Sequence, residues 1–236
     1  MIETRTANGR GTTNLGWLDS RHTFAFGRGI PDKAQPHVMG FRNLRVINDD
    51  RVAAGQGFGT HGHDNMEIIS FVIEGHLEHK DSMGTTQTIG PGDFQLTTAG
   101  SGITHSEYNP SSTEPIRFVQ IWIIPDKQDA EPNYDHLNHD TTKSHNKLRL
   151  VASPDGADGS MKMNADARLY VAQLDAGQSV EQTIPTGRHA WVQVTQGTVR
   201  VGDQVLTEGD GIAISDEAGI TITATTGAEV LTFDLA

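Results

Sequence analysis

The sequence contains no cysteine among its 236 residues. That absence excludes disulfides, thiolate metal sites, iron–sulfur clusters and a cysteine nucleophile together, and it is compatible with a reducing compartment. No run approaches the roughly 18 consecutive apolar residues that a membrane-spanning helix needs, and the N-terminus lacks the apolar segment of a signal peptide. We therefore expect a soluble, cytoplasmic protein that does not bind membranes.

Positive charge is also scarce, because 18 Lys and Arg residues stand against 30 Asp and Glu residues, a formal net charge of −12. Direct binding of nucleic acid normally needs a basic face that displaces the counterions condensed on phosphates. No basic run is present, so nucleic acid is not an expected direct partner. Motifs of serine hydrolases, zinc proteases and nucleotide hydrolases are missing too, which argues against those activities.

What the chain does contain is a series of short apolar runs separated by turn residues. Residues 66–73 form a run rich in β-branched side chains, a turn at residues 82–84 follows, and residues 116–124 form another run that ends at Pro125. Residues 41–46 are interpreted as a strand that ends in a turn at residues 48–50, because Asn and Asp favour turns. The regular spacing of strands and turns predicts an all-β sandwich or barrel.

Two pairs of polar side chains have the spacing of a metal site. His61 and His63 form one i, i+2 pair, and His105 and Glu107 form a second on a later strand. Alternate residues of a strand face one side, so three imidazoles and a carboxylate can converge on one cation if the strands are neighbours. This donor set suits Fe(II) and other first-row divalent metals better than Mg or Ca. A lone strand histidine is usually structural, but two such pairs favour a metal site.

The second half of the chain repeats features of the first. Residues 72–77 resemble residues 194–199, and residues 89–93 resemble residues 206–210, which predicts two copies of one β-barrel. We expect an N-terminal metal-binding domain over residues 1–130, a polar linker over residues 131–147 and a C-terminal domain over residues 148–236. The second copy keeps one histidine at the matching strand and is expected to bind no metal. The histidines predicted to be structural or at the surface are His22, His37, His76, His79, His136, His139, His145 and His189.

The segments around the two pairs resemble the two cupin motifs. The first motif is matched by Gly55, His61, His63 and Glu67, and the second by Gly92, Asp93, His105 and Asn109. Longer segments are similar to the pirin family, which are bicupins whose N-terminal barrel alone holds metal. These segments are residues 17–24, 44–50, 66–68, 74–82, 102–107 and 120–123. The resemblance implies an all-β bicupin with two tandem cupin-type β-barrels, each a jelly roll or double-stranded β-helix.

Site residues also follow from this resemblance. It implies that His61, His63, His105 and Glu107 bind one divalent metal ion, Fe(II) first, with other first-row divalent metals as alternatives. General cupin motifs would make Glu67 a ligand, whereas in pirins it is not one, so we expect Glu67 to orient an imidazole. Pirins commonly have His-Pro-His-Arg at the first pair, while this chain has Gly62 and Asp64 in place of the proline and arginine. The substitution places a negative group near the expected pocket mouth.

Several bacterial pirins resemble quercetin 2,3-dioxygenases, which open the flavonol ring with O₂ and release carbon monoxide. The resemblance implies an oxidoreductase acting on a small aromatic, flavonol-like substrate and O₂, with Glu107 as the group that takes the substrate proton. Phe58, Phe71 and Phe94 are candidate pocket walls or core residues. One alternative is a non-catalytic, iron-dependent redox sensor that binds a protein partner as a transcriptional co-regulator. Another is isomerase or decarboxylase chemistry with the same ligands, since fold and ligands do not determine the reaction.

Overall fold

The computed structural model describes residues 1–25, 39–138 and 140–236, and it is nearly all β. The first half contains β1 (Ile2–Arg5), β2 (Gly11–Asn14), β3 (Leu18–His22), β4 (Leu44–Val52), β5 (Gly57–His63), β6 (Glu67–Glu74), β7 (Leu77–Asp81), β8 (Thr86–Ile89), β9 (Phe94–Thr98), β10 (Ile103–Tyr108), β11 (Ile116–Ile123) and β12 (Asn133–Leu137). The second half contains α1 (Thr141–Ser144), β13 (Arg149–Ser153), β14 (Met161–Lys162), β15 (Ala167–Leu174), β16 (Ser179–Thr183), β17 (His189–Gln196), β18 (Thr198–Val201), β19 (Gln204–Thr207), β20 (Gly211–Ser215), β21 (Gly219–Ala224) and β22 (Ala228–Leu235). Two 3₁₀ turns lie at Ala7–Gly9 and Ala157–Gly159. None of the helices in the described ranges is long and apolar enough to cross a membrane.

The structure has two barrels, each made of two packed sheets. In the N-terminal barrel, a seven-stranded sheet has the order β12-β9-β6-β11-β4-β3-β2 and a four-stranded sheet has the order β5-β10-β7-β8. In the C-terminal barrel, the corresponding orders are β1-β20-β17-β22-β15-β13-β14 and β16-β21-β18-β19. The predicted all-β bicupin with two tandem cupin-type barrels is confirmed.

Two strands cross the domain limits expected from the sequence. β1 pairs with β20 of the C-terminal sheet, with Ile2 opposite Ile214. β12, inside the expected linker, pairs with β9 of the N-terminal sheet. Both are edge strands with half-exposed or exposed side chains. Apolar periodicity does not identify such strands, because neither face carries a continuous apolar row. The domain limits at residues 130 and 147 stay a prediction, although β1 and β12 each pair with a sheet outside the segment in which they were expected.

The core between the barrels explains the continuous apolar runs. The two seven-stranded sheets pack against each other, each through one face. Ile69, Phe71 and Ile121 of one sheet therefore lie in the same cluster as Leu231 and Phe233 of the other. The strands are buried on both faces, which removes the polar alternation of a half-exposed strand. Phe71 and Phe94, whose rings stack with centroids 4.4 Å apart, belong to this cluster. They are therefore core residues rather than pocket walls.

The two barrel interiors are filled differently. Aliphatic side chains such as Val192, Val199 and Ile212 fill the C-terminal barrel. The N-terminal barrel has a smaller apolar cluster around Phe118, and the remainder of its interior holds polar side chains and a cavity. The contrast supports the expectation that any metal binds in the N-terminal barrel. The absence of metal binding in the second barrel stays a prediction.

Candidate metal centre

Strand pairing brings the predicted ligands together although 42 to 46 positions separate the two pairs in the sequence. β5 and β10 are antiparallel neighbours, with His61 directly opposite His105. Alternate residues of β10 are buried, so His105 and Glu107 share the inward face. Glu107 lies opposite Phe58, so β5 holds one more residue than β10 between these pairs, as in a β-bulge. A side chain at Gly57 would clash with the backbone oxygen of Glu107, so glycine is required there.

Three imidazoles lie at the spacing of ligands on one cation. The Nε2 atoms of His61 and His105 are 3.2 Å apart, and His63 completes a group whose donor atoms all lie within 4.8 Å of one another. Two nitrogens each about 2.0–2.1 Å from a metal would be roughly 2.9–3.4 Å apart at angles near 90–109°. His61 Nδ1 lies 2.7 Å from the Gly59 carbonyl oxygen and donates to it, which leaves the Nε2 lone pair for a metal. The residues present therefore fit a divalent metal ion.

The protonation states suit metal binding as well. Burial, with the neighbouring His105 and His61, lowers the pKa of His63 to about 4. Burial together with His61 and His79 lowers the pKa of His105 to about 3. Both imidazoles are neutral at physiological pH, and neutral imidazole is the form that coordinates a cation.

The Glu107 carboxylate is 1% exposed and is held by three donors. Oε1 accepts hydrogen bonds from Ser70 Oγ at 2.9 Å and Gln95 Nε2 at 2.8 Å, and Oε2 accepts one from Gln120 Nε2 at 2.7 Å. A carboxylate offers about four acceptor sites, so roughly one remains, on Oε2. The carboxylate groups with His79 and His105 rather than with all three predicted histidine ligands. Its role as the fourth ligand stays a prediction.

His79 lies beside the predicted ligands, a position that the sequence analysis did not predict. It was expected to be structural or at the surface, and it is fully buried opposite Glu107 on the neighbouring strand. Its donor atom lies within 4.8 Å of those of His105 and Glu107. His79 Nε2 is 3.0 Å from Asp81 Oδ2, and its ring stacks on Tyr134 with centroids 4.6 Å apart. The sequence contained a sign of this burial, because His79 lies two residues after the apolar Leu77 and alternate residues of a strand share one face.

Glu67 lies elsewhere in the molecule. Its carboxylate accepts hydrogen bonds from Thr98 Oγ1 at 2.7 Å and from Asn164 Nδ2 at 3.3 Å, and Asn164 belongs to the second half of the chain. No bond joins Glu67 to an imidazole within the described ranges, so the hypothesis that it orients one is wrong. Glu67 instead links the two barrels, and burial raises its pKa.

Two of the remaining histidines have ordinary partners. His145 is exposed and lies 3.0 Å from Asp175, and His189 Nδ1 lies 2.7 Å from Ser215 Oγ. His37 and His139 lie outside the described residues. His145 therefore serves as a control histidine for experiments on the metal centre.

A cavity of about 450 Å³ opens in front of His61, His63 and Glu107. Its size falls in the range of about 300–1,000 Å³ found for small-molecule sites. Trp17, Phe58 and Trp122 line it: Trp17 and Phe58 meet edge to face at 5.5 Å, and Trp122 meets His63 at 5.0 Å. We call these three side chains the aromatic wall. Asp64 is exposed and is not among the described residues that line the cavity.

The same cavity has a polar wall that consists of Ser20, His22, Asn48 and Asp50. The Asn-Asp-Asp run was predicted to form a turn after a short strand, and that prediction is wrong because β4 continues through it to Val52. Within the described residues, Asn48 Oδ1 and Asp50 Oδ1 are buried and have no hydrogen-bond partner. Burial, with the charges of Asp49 and Glu107, raises the pKa of Asp50 to about 7 although Ser20 donates to it.

The raised pKa predicts a pH-dependent contribution of Asp50 to stability. The folded state binds the Asp50 proton more tightly than the unfolded state, so unfolding between about pH 4 and pH 7 releases a proton and stability falls as pH rises. The loss between pH 5 and pH 7 is about 2 kcal/mol. Asp50→Asn cannot titrate, so the difference in unfolding free energy between wild type and variant should change by that amount, as urea denaturation at several pH values will measure. A pH-independent difference would contradict the assignment.

Comparisons with known proteins agree with this architecture. A family model described as pirin matches residues 3–123, and one described as a quercetinase C-terminal cupin domain matches residues 150–235. The chain is 48% identical over 236 residues to a protein named quercetin 2,3-dioxygenase from Escherichia coli strain K12, which covers 100% of this chain and 99% of that protein.

Solved structures give the same result. The crystal structure of YhhW from Escherichia coli has a TM-score of 0.94 and 46% identity, and the match covers 100% of this chain and 98% of that one. A structure of bacterial pirin YhhW in complex with nickel(II) has a TM-score of 0.93 and 46% identity, with 100% and 99% covered. The chain therefore belongs to the pirin family.

Proposed function

We propose that this protein is a metal-dependent dioxygenase that opens the ring of flavonols such as quercetin with O₂ and releases carbon monoxide. The observation that carries the proposal is the group of three close imidazoles, two of which line a cavity together with the Glu107 carboxylate and an aromatic wall. Support comes from the relative named quercetin 2,3-dioxygenase and from the nickel complex of a structural relative. We propose His61, His63, His105 and Glu107 as the ligands and Fe(II) as the metal used.

The aromatic wall positions a flat substrate. Trp17 and Phe58 line the cavity and meet edge to face, and Trp122 lies beside His63. Aromatic rings pack against one another in offset or edge-to-face arrangements, so a flavonol is held with one ring edge toward the imidazoles.

A divalent cation bound at the imidazoles would lower the pKa of a substrate hydroxyl that it contacts. Glu107 Oε2, with its one free acceptor site, is placed to take the proton of the flavonol 3-hydroxyl. Binding the cation and accepting the proton would each need the one free lone pair of Oε2. If Glu107 does both, Gln120 must therefore release its hydrogen bond to Oε2. Ser70 and Gln95 hold Oε1 throughout and keep the carboxylate oriented.

The overall reaction balances with O₂ as the only co-reactant. The two carbon–carbon bonds to the carbon that bears the 3-hydroxyl break, and that carbon leaves as carbon monoxide. The two oxygen atoms of O₂ are retained in the ring-opened ester. No reductant is required, which is consistent with a site that needs to hold only substrate, O₂ and one cation.

Turnover of quercetin tests the proposal directly. Metal-loaded protein should be incubated with quercetin without oxygen, O₂ admitted, and the flavonol absorbance and headspace carbon monoxide followed together. We expect one carbon monoxide per quercetin consumed, loss of activity in His61→Ala and Glu107→Ala, and unchanged activity in His145→Ala. Intact quercetin at saturating O₂ with metal bound would contradict the proposal. That result would favour a role as a redox sensor or a different reaction at the same ligands.

A further inference from the structure

The polar wall is continuous with the metal centre. Ser20 lies opposite Asp50 and His22 opposite Asn48 where β3 pairs with β4. On the other side of β4, Asn48 lies opposite Gln120, whose side chain donates to Glu107 Oε2. A group that reaches the imidazoles and a group that reaches Asn48 therefore occupy one cavity, and a single ligand can contact both.

Two oxygen atoms of the polar wall are unusual. Asn48 is 3% exposed and Asp50 2% exposed, yet the Oδ1 atom of each is buried without a hydrogen-bond partner among the described residues. Buried polar atoms in folded proteins are nearly always paired, and each exception calls for an explanation. Both residues line the cavity, so a ligand in the cavity can supply the missing donors. Nothing in the proposed chemistry at the imidazoles uses them.

We propose that Asn48 and Asp50 select polyhydroxylated aromatic ligands by accepting hydrogen bonds from hydroxyl groups remote from the metal. This inference rests on the proposed function, because it places one hydroxyl at the imidazoles and another at the polar wall. Burial raises the pKa of Asp50 to about 7, so a neutral carboxyl is available to accept from one hydroxyl and donate to another oxygen. A ring without hydroxyl groups would leave both oxygens unpartnered and would bind more weakly.

Binding without turnover tests this selection. Metal-loaded protein without O₂ should be titrated calorimetrically with quercetin and with 3-hydroxyflavone, which keeps the 3-hydroxyl but lacks the other hydroxyl groups. We expect quercetin to bind wild type at least about tenfold more tightly, since one hydrogen bond of this kind accounts for about a tenfold change in affinity. Asp50→Leu should lose about tenfold for quercetin and stay within about twofold for 3-hydroxyflavone. Asp50→Asn, which keeps the shape and an acceptor, should recover most of the loss.

Each alternative outcome overturns the inference in a recognisable way. Equal binding of the two ligands by wild type, or equal losses for both in the variant, would assign Asn48 and Asp50 a purely structural role. If Asp50→Leu does not fold, Asn48→Leu provides the same comparison. Failure of the proposed function looks different, because a protein that discriminates between the ligands yet leaves quercetin intact after O₂ is admitted keeps the recognition site and loses the dioxygenase assignment.

Discussion

Replacing His105 with alanine is expected to lower the affinity for a divalent cation by more than about 100-fold. Removing a group that only hydrogen-bonds a ligand costs about 10–100-fold, and a lost ligand should cost more. His105 belongs to both groups of close donors, the one with His61 and His63 and the one with His79 and Glu107. Its removal therefore leaves neither group with three members.

A comparison with His61→Ala sharpens this expectation. Without His61, the buried group of His79, His105 and Glu107 is intact, so a cation retains three donors and the loss should be smaller than in His105→Ala. Competition between protein and a chelator for nickel(II) measures both variants, with exposed His145→Ala as the control and circular dichroism as the check on folding. A loss of less than about tenfold in folded His105→Ala would remove His105 from the ligand set.

The metal centre was predictable to the extent that it depends on local geometry. The i, i+2 spacing of His61 and His63 places both imidazoles on one face of a strand whatever the rest of the chain does. Pairing of that strand with β10 is not local, and the bulge that sets Glu107 opposite Phe58 could not be read from the spacing. The family resemblance supplied the pairing that the spacing alone left open.

The sequence analysis did not predict the polar wall because part of its strand consists of residues that usually form turns. The run at residues 48–50 has turn-forming side chains, but β4 is central in its sheet and is held by β3 on one side and β11 on the other. Tertiary pairing overrides weak local preferences in such a position. Asn48 and Asp50 face the cavity, and the intervening Asp49 faces the opposite side, where it meets an arginine. A buried strand segment that has polar residues on both faces lacks the apolar periodicity by which strands are predicted from sequence.

Asp49 and Arg117 form the buried ion pair on that opposite side. Arg117 donates to both carboxylate oxygens, Nε to Oδ1 at 3.0 Å and Nη2 to Oδ2 at 2.9 Å, and its side chain is 5% exposed. It also lies 2.9 Å from Glu208 of the C-terminal half, so the pair bridges the barrels. Burial alone would raise the pKa of Asp49, but Arg117 and Arg10 hold it below its usual range. The carboxylate is therefore ionised when buried.

Arg117→Ala is expected to lower the free energy of unfolding by about 3 kcal/mol, the lower end of the range of about 3–5 kcal/mol for breaking a buried pair. The lower end applies because Arg10 stays 3.5 Å from the Asp49 carboxylate. Arg51 provides the matched control, since it lies 3.6 Å from the same carboxylate but its side chain is 49% exposed. Arg51→Ala should cost at most about 1 kcal/mol. Urea denaturation compares the two variants, and equal losses would show that burial does not determine the contribution of these arginines.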